Sequence, residues 1–289
     1  MNGRYGSMTY DSRVPVAIEK IGEMDPDLVV CTGDMVAGQK QPGLDADRLD
    51  QMWRGFNRTI ADPLKRRGIP FFVTPGNHDG SGFPEFALER EHFEIQWAPR
   101  VPEVEMLVGS EWPRRYAARV GDELLIAFDG TVPGALSEDE FRFVEKMLHV
   151  YGKGPEATIV FSHLPMWPLT SGREHEIIDD PALLELLHDN GVDVYASGHH
   201  HAFFAGTDDA GMVHLGLGAL GGNARPFSGK KQRQPFSFSV LTLSNGMVDI
   251  ASRAAPDFDA EVPVSELPAT IEGPLGVLRR MDAPVRLRP

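Results

Sequence analysis

Residues 68–79 read Gly-Ile-Pro-Phe-Phe-Val-Thr-Pro-Gly-Asn-His-Asp, and this stretch decides the fold. Its mainly apolar first half is typical of a strand that is buried on both faces of a sheet. The turn that follows presents an amide, an imidazole and a carboxylate at Asn77, His78 and Asp79. In open α/β sheets, ligands bind beyond the carboxyl ends of the strands. The stretch therefore predicts a buried strand that delivers polar side chains to a binding site.

Three other apolar runs end in polar residues in the same way. These runs and the residues that follow them are 28–31 with Asp34, 158–161 with His163, and 192–196 with His199, His200 and His201. If the four strands share one sheet, their ends bring these side chains together. In an extended segment, His199 and His201 would point to one side and His200 to the other. Carboxylate, amide and imidazole ligands without a thiolate favour a divalent Mn, Fe or Zn ion.

Helices alternate with the buried strands, and antiparallel strands dominate from about residue 213 onward. Apolar residues recur at helical spacing within residues 14–21, 49–60, 141–148 and 183–187. This order predicts an α/β fold that is completed by antiparallel strands.

Residues 1–260 are predicted to form one domain, and residues 261–289 a proline-rich C-terminal tail that is weakly ordered. Residues 80–113 contain prolines and aromatic residues without a regular pattern. They form either a cap beside the site or a packed surface segment, and the sequence does not decide between these two.

The net charge of −14 argues against a nucleic-acid partner, because the chain repels a phosphate backbone over most of its surface. The basic run at residues 229–233 is either a solvated loop or a device that steers an anionic substrate, and we favour the loop. The single cysteine, Cys31, cannot form an internal disulfide. The sequence contains no long apolar run for a membrane span and no visible signal peptide, so we expect a cytoplasmic protein.

The ordered motifs resemble those of the calcineurin-like metallophosphoesterase superfamily over about residues 14–255. The motifs that carry this resemblance are Gly33-Asp34, Gly76-Asn77-His78-Asp79, Ser162-His163 and Gly198-His199-x-His201. The resemblance implies a four-layer αββα sandwich with two mixed sheets between helices. It also implies two divalent metal ions and a metal-bound hydroxide that hydrolyses a phosphomonoester or phosphodiester, with a small-molecule phosphoester as substrate.

The resemblance also implies a role for each motif residue. Asp34 would bridge both metal ions, and His201 would bind one of them. The other ion would be completed by Asn77, His163 and His199. His78 would be the proton donor to the leaving-group oxygen, and Asp79 would orient it.

The chain departs from the family pattern at its start, because no strand ending in Asp-x-His precedes the first helix. We interpret this as a chain that is truncated at its N-terminus, in which Asn2 would stand at the histidine position of that motif as a metal ligand or site-lining residue. The absent motif leaves open a second reading, in which the protein binds metal as a scaffold without catalysis. A metallo-β-lactamase-like hydrolase fits poorly, since His201 is not followed by the Asp-His that such an enzyme requires. Asn223 and Arg225, in a glycine-rich region, are weaker candidates for contacts to the substrate phosphate.

Overall fold

The structure is a computed structural model that describes residue 1 and residues 4–288. Within this part of the chain, the α-helices are α1 (Arg13–Met24), α2 (Ala46–Phe56), α3 (Asp62–Arg66), α4 (Ala87–Trp97), α5 (Glu138–Tyr151) and α6 (Pro181–Asp189). None of the helices in the described residues is both long and apolar enough to cross a bilayer.

The strands form three sheets in the described part of the chain. A parallel pair joins β1 (Val29–Cys31) to β2 (Phe71–Val73). The nine strands of a mixed sheet are β3 (Glu105–Met106), β4 (Tyr116–Val120), β5 (Glu123–Ala127), β6 (Ala157–Phe161), β7 (Val194–Ser197), β8 (Phe204–Thr207), β9 (Val213–Gly216), β12 (Thr270–Gly273) and β13 (Gly276–Arg280). The third sheet is antiparallel and holds β10 (Ser237–Ser244), β11 (Met247–Ala254) and β14 (Val285–Arg286).

The predicted α/β class is confirmed, with a large mixed sheet and packed helices. The strands that carry the motifs, however, do not share one sheet. The strands β1 and β2 form the small parallel sheet, whereas β6 and β7 lie side by side in the nine-stranded sheet. The motif side chains therefore meet where the carboxyl ends of two separate sheets face each other.

The hydroxyl of Tyr116 connects the two sheets. It donates a hydrogen bond to the carbonyl of Val73 (2.8 Å) and accepts one from the amide of Val73 (3.1 Å). Tyr116 belongs to β4 of the large sheet and Val73 ends β2, so this hydroxyl satisfies backbone groups on the free edge of the small sheet. On the other strand of this sheet, Cys31 is buried with 6% of its surface exposed.

Side-chain caps fix the starts of the helices that the sequence predicted. Ser137 accepts a hydrogen bond from the amide of Glu140, as expected for a capping box. Asp180 caps α6 and accepts from the amides of Ala182 and Leu183. Helix α2 continues through a π-helical turn (Asn57–Ala61) into α3. Pro63 follows this turn, and a widened turn there relieves the clash between its ring and the preceding helix.

Residues 80–113 differ from the irregular segment that we expected, because they contain α4 and β3. The ring centroids of Trp97 and Trp53 on α2 are 6.4 Å apart, and those of Trp97 and Phe71 on β2 are 5.5 Å apart. Helix α4 therefore packs on the small sheet beside α2. The sequence of α4 shows no clear helical spacing of apolar residues, because its buried face includes Glu89 and His92 as well as Phe93 and Trp97.

The C-terminal segment also differs from a weakly ordered tail. Within it, β12 and β13 form a hairpin, and β13 pairs with β8 of the nine-stranded sheet. Ile271 and Leu278 are buried in the main core. Strand β12 has one aliphatic residue, Ile271, and β13 has two, Val277 and Leu278, so the sequence contains only a weak signal for these strands.

Candidate metal centre

The turns after β1 and β2 pack back to back at two glycines. A Cβ atom on Gly76 would lie 2.1 Å from the amide nitrogen of Asp34, and one on Gly33 would lie 2.5 Å from the Cα of Gly76. Gly33 and Asp34 both have positive φ angles, of 95° and 56°. Only glycine allows both the close approach and the left-handed backbone at position 33. The fold thereby brings Asp34 against the start of the Asn77–Asp79 turn.

Four buried side chains converge beside these turns. The Nε2 atom of His163 lies 2.8 Å from Oδ1 of Asn77 and 3.1 Å from Nδ1 of His199. The same Nδ1 of His199 is 2.9 Å from Oδ1 of Asn77. Asp34 completes the group, with its Oδ1 3.5 Å from Nε2 of His163. Asp34, His163 and His199 each offer a ligand atom, and these atoms all lie within 4.8 Å of one another.

The outer partners of the imidazoles determine which ring nitrogen faces this group without a proton. Nδ1 of His163 donates to the carbonyl of Thr32 at 2.6 Å, so Nε2 carries no proton and has a free lone pair. Nε2 of His199 donates to the carboxylate of Glu176 at 2.5 Å, so Nδ1 carries no proton and has a free lone pair. This arrangement, in which the outer nitrogen is held by a carbonyl or carboxylate, is typical of histidines that bind metal.

The amide of Asn77 is oriented in the same sense. Its Nδ2 donates to Oε1 of Gln39, so its Oδ1 faces His163 and His199. Three acceptor atoms thus lie about 3 Å apart with no proton to share between them. Such a group repels itself unless a cation lies between its members. Imidazole nitrogens, an amide oxygen and the Asp34 carboxylate fit a Zn, Mn or Fe ion.

The pKa values of these side chains favour the protonation states that metal ligands need. Burial lowers the pKa of His163 and that of His199, so both rings are neutral near pH 7. Burial raises the pKa of Asp34, but His163, His78 and His199 outweigh this, and the pKa lies below its usual value. The site is therefore ready for a cation without first releasing a proton.

His201 lies apart from this group. Its Nδ1 donates to the backbone carbonyl of Asn223 at 2.8 Å, so Nε2 has a free lone pair. The expected extended backbone is wrong here, since His199 and His201 have φ angles of 59° and 55°. His200 is buried between them and contacts another loop, because its Nδ1 accepts from the amide of Leu169.

His78 and Asp79 have partners that the sequence did not predict. The ring Nδ1 of His78 donates to the carbonyl of Gly38 at 2.8 Å, and its backbone amide donates to Oδ1 of Asp34 at 3.0 Å. The Asp79 carboxylate instead accepts from the amides of Gly76 and Met35. The idea that Asp79 orients the His78 ring is therefore corrected, because the buried carboxylate is used by the backbone of both turns. Burial and the charge of Asp34 raise the pKa of Asp79 to about 7.

Two further residues at this centre were missed from the sequence. Glu176 holds His199, and Nη1 of Arg173 lies 3.2 Å from Nε2 of His199 and pairs with Glu176. Both residues lie in the loop between β6 and α6, at positions without a motif. Their place depends on how this loop folds over the strand ends, for which the spacing gives no signal.

Of the remaining predicted site residues, Asn223 and Arg225 lie beside His201. Asn223 contacts His201 through its backbone carbonyl, and its side chain is exposed. Arg225 donates its backbone amide to the carbonyl of His201 and is half-buried. Asn2 lies outside the residues that the structure describes.

A sequence profile of the family described as calcineurin-like phosphoesterase matches residues 11–203. The match includes every motif strand and extends through the three consecutive histidines after β7.

The chain belongs to the calcineurin-like phosphoesterase family.

Two curated relatives of this family member are each 27% identical to it. Purple acid phosphatase 18 of Arabidopsis thaliana aligns over 207 residues, which are 68% of this chain and 45% of the relative. The protein named "Probable glycerophosphodiester phosphodiesterase GpdQ" of Arcobacter nitrofigilis aligns over 154 residues, 52% of this chain and 45% of that protein. The matches thus span less than half the length of each relative.

The solved structure of purple acid phosphatase PPD1 from yellow lupin (Lupinus luteus) is similar in fold. It superposes with a TM-score of 0.69 at 16% sequence identity, and the match covers 88% of this chain and 48% of that chain. The α/β architecture of the calcineurin-like phosphoesterase is therefore shared with a purple acid phosphatase.

Proposed function

We propose that this protein is a metal-dependent phosphoesterase that hydrolyses a phosphomonoester or phosphodiester with two divalent cations. The observation that carries the proposal is the convergence of lone-pair atoms from Asn77, His163 and His199 beside the Asp34 carboxylate. The names of the two curated relatives, a phosphatase and a phosphodiesterase, support the same reaction class.

In this proposal the ligands divide into two sets that share Asp34. Asn77, His163 and His199 hold one cation with Asp34, since their free lone pairs meet at one point. His201 serves the second cation with Asp34, because its Nε2 carries no proton when Nδ1 donates to the carbonyl of Asn223. When bound, the cations would neutralise phosphoryl charge and lower the pKa of the attacking water.

His78 supplies the proton for the leaving oxygen. The carbonyl of Gly38 occupies Nδ1, so only a protonated ring has an Nε2–H to donate. The hydrogen bond from the amide of His78 to Asp34 keeps this residue beside the cation ligands. His78 is therefore a general acid whose reach is set by the same turn that provides Asn77.

Charge at the rim of the centre suits an anionic substrate. Arg173 lies against His199, and the Asp34 charge acts on both Arg173 and Arg225. We assign Arg225, with Asn223 two residues before it, to substrate binding. A guanidinium can form two parallel hydrogen bonds to a phosphate, which favours arginine for this task.

Turnover and metal content measured on the same samples test the proposal. p-Nitrophenyl phosphate and bis(p-nitrophenyl) phosphate, with added Mn²⁺, cover the two ester classes. His78→Ala should reduce kcat by about a hundredfold or more while metal content stays unchanged. Asp34→Ala should lose both metal and turnover, and His175→Ala, an exposed histidine outside the centre, should retain both.

The outcomes separate the enzyme from the scaffold. Bound metal without hydrolysis of either ester supports the scaffold and refutes the phosphoesterase. Unchanged kcat in His78→Ala would remove its role as the acid. Full occupancy by two cations in Asp34→Ala would contradict its position between them.

A further inference from the structure

Residues 225–234 form a hairpin that carries four cationic side chains and no acidic one, in a chain whose net charge is −14. We call this segment the basic hairpin. Its cationic residues are Arg225, Lys230, Lys231 and Arg233. None of the four forms an ion pair with another described residue. A concentration of unpaired charge opposite in sign to the rest of the molecule indicates a place where an anion is attracted.

The basic hairpin is fixed against the candidate metal centre. Its first residue, Arg225, donates its amide to the carbonyl of His201, and Gln234 closes the hairpin by donating to the carbonyl of Arg225. Phe227 is 1% exposed and forms a bridge with Thr170 on the loop after β6. The hairpin is therefore anchored both at the histidines and in the core.

That bridge also brings a fifth cation to the hairpin. The loop that pairs with Phe227 continues to Arg173, which lies against His199. Glu176 pairs with Arg173, but the Nε of Arg225 is buried and has no hydrogen-bond partner among the described residues. A buried N–H donor left unpaired in this way costs free energy, which a bound anion would recover.

The phosphoryl group that is cleaved does not need all of this charge. In the proposed function two divalent cations, held by Asp34 and the ligands around it, would neutralise its charge. Further cations along the hairpin, leading away from His201, match negative charge elsewhere on the same substrate.

Resting on the proposed function, we propose that the basic hairpin recognises a second phosphate group of the substrate. Arg225 and Arg233 hold this group, and Lys230 and Lys231 at the exposed tip attract it from solution. The substrate class is then a bisphosphorylated small molecule of which one phosphate is removed.

A matched pair of substrates tests the proposal. Propane-1,3-diol monophosphate and propane-1,3-diol bisphosphate differ only in the second phosphate, and phosphate release gives kcat/KM for each. After correction for its two equivalent esters, we expect the bisphosphate to be preferred by about tenfold, from two or more charge-assisted contacts. Arg233→Gln should reduce this preference by about fivefold, and about 0.5 M NaCl should reduce it in the unmodified protein.

Arg142→Gln is the matched control. Arg142 is an exposed arginine on α5 that pairs with Glu138, and its replacement should leave the preference unchanged. The double change Lys230→Gln with Lys231→Gln provides a second variant, in exposed positions where loss of folding is not expected. A fall in preference in Arg233→Gln and the double variant, but not in Arg142→Gln, supports the proposal.

A binding measurement keeps the two proposals distinguishable. Calorimetry compares propylphosphonate with propane-1,3-bisphosphonate on the Mn²⁺-loaded protein, without any need for turnover. If no ester is hydrolysed but the bisphosphonate binds more tightly and Arg233→Gln abolishes the difference, the phosphoesterase fails and the anion site stands. Equal kcat/KM for the two esters together with equal affinity for the two phosphonates would overturn the second-phosphate site.

Discussion

Glu140 is a half-buried carboxyl group, with 13% of its side chain exposed, whose protonation should affect stability. Its Oε2 accepts from the amide of Asp129 at 3.2 Å, and its Oε1 lies 3.3 Å from Arg115. Burial, and then the charge of Asp129, raise the pKa of Glu140 from 4.5 to about 7. Because the folded state holds this proton more tightly than the unfolded chain, the group costs stability as pH rises from about 4.5 to 7.

Replacing Glu140 with Gln removes this titration. We therefore expect Glu140→Gln to melt at a higher temperature than the unmodified protein at pH 8, and to show little difference at pH 4.5. Asp139→Asn changes an exposed neighbour that contacts the same arginine, and its effect should be similar at both pH values. Thermal unfolding followed by circular dichroism measures both. A difference for Glu140→Gln that does not vary with pH would contradict the prediction.

At the scale of single residues, the sequence anticipated those that follow a strand. Asp34, Asn77, His163 and His199 each follow an apolar run within about four residues, so the positions of the strand ends predicted that these side chains meet. Glu176 and Arg173 lie in a loop, where no period fixes the direction of a side chain. The same limit explains the error on Asp79, whose partners are the backbone amides of Gly76 in its own turn and of Met35 after β1.

At the scale of elements, the helix α6 illustrates how much one cap contributes. Asp180 accepts from two amides of the first turn, and its other oxygen accepts from the amide of Leu136 at 3.0 Å. Only 6% of Asp180 is exposed, so water cannot replace these bonds. The cap therefore joins the start of α6 to the segment before α5.

Asp180→Ala should reduce the free energy of unfolding by about 2–3 kcal/mol, from the lost cap and the unpaired amide of Leu136. Asp180→Asn keeps an acceptor for the first turn and should cost less than half as much. Ser137→Ala, which removes a single bond at the start of α5, should cost about 1 kcal/mol. Urea unfolding of the three variants gives the ranking, and an equal loss for Asp180→Ala and Ser137→Ala would be inconsistent with it.

Helices were predicted correctly where one face is apolar and a capping residue marks the start. The helix after Ser137 has both a capping box and a core stripe, and the structure begins it at Glu138. Helix α4 lacks a clean stripe, since its buried set includes Glu89 and His92. The strands β12 and β13 have few apolar residues because they lie at one edge of the large sheet.

At the scale of the whole molecule, the hydroxyl of Tyr116 connects the two sheets whose strand ends form the candidate metal centre. Tyr116→Phe should reduce the free energy of unfolding by about 3 kcal/mol, because the amide and the carbonyl of Val73 lose their partner inside the core. Tyr195→Phe is the matched control. Its hydroxyl donates to the carbonyl of Leu164, and no backbone amide of the described residues donates to it, so its loss should cost about half as much.

Urea unfolding, together with metal content, measures whether this link supports the centre. We expect Tyr116→Phe to bind metal less tightly than Tyr195→Phe does, since it loosens β2 and the turn that carries Asn77. Similar stability and metal affinity in the two variants would show that the link through Val73 is dispensable.

The division of the strands between sheets was the part of the fold that the sequence could not provide. Each strand was predicted from its own residues, but pairing is decided by partners far along the chain. The ends of β1 and β6 are joined through Thr32 and His163, which are 131 residues apart. The α/β order predicted a shared edge, whereas two facing sheets produce the same meeting of side chains.

Because Cys31 is buried, the rate at which its thiol reacts reports how often the small sheet opens locally. Burial raises the pKa of Cys31 to about 12, so at pH 8 the folded protein offers a disulfide reagent neither access nor a thiolate. The thiol then reacts only after β1 separates from its surroundings, so the reaction rate depends on how often β1 opens. Because the chain has a single cysteine, the signal comes from this one strand without any engineered label.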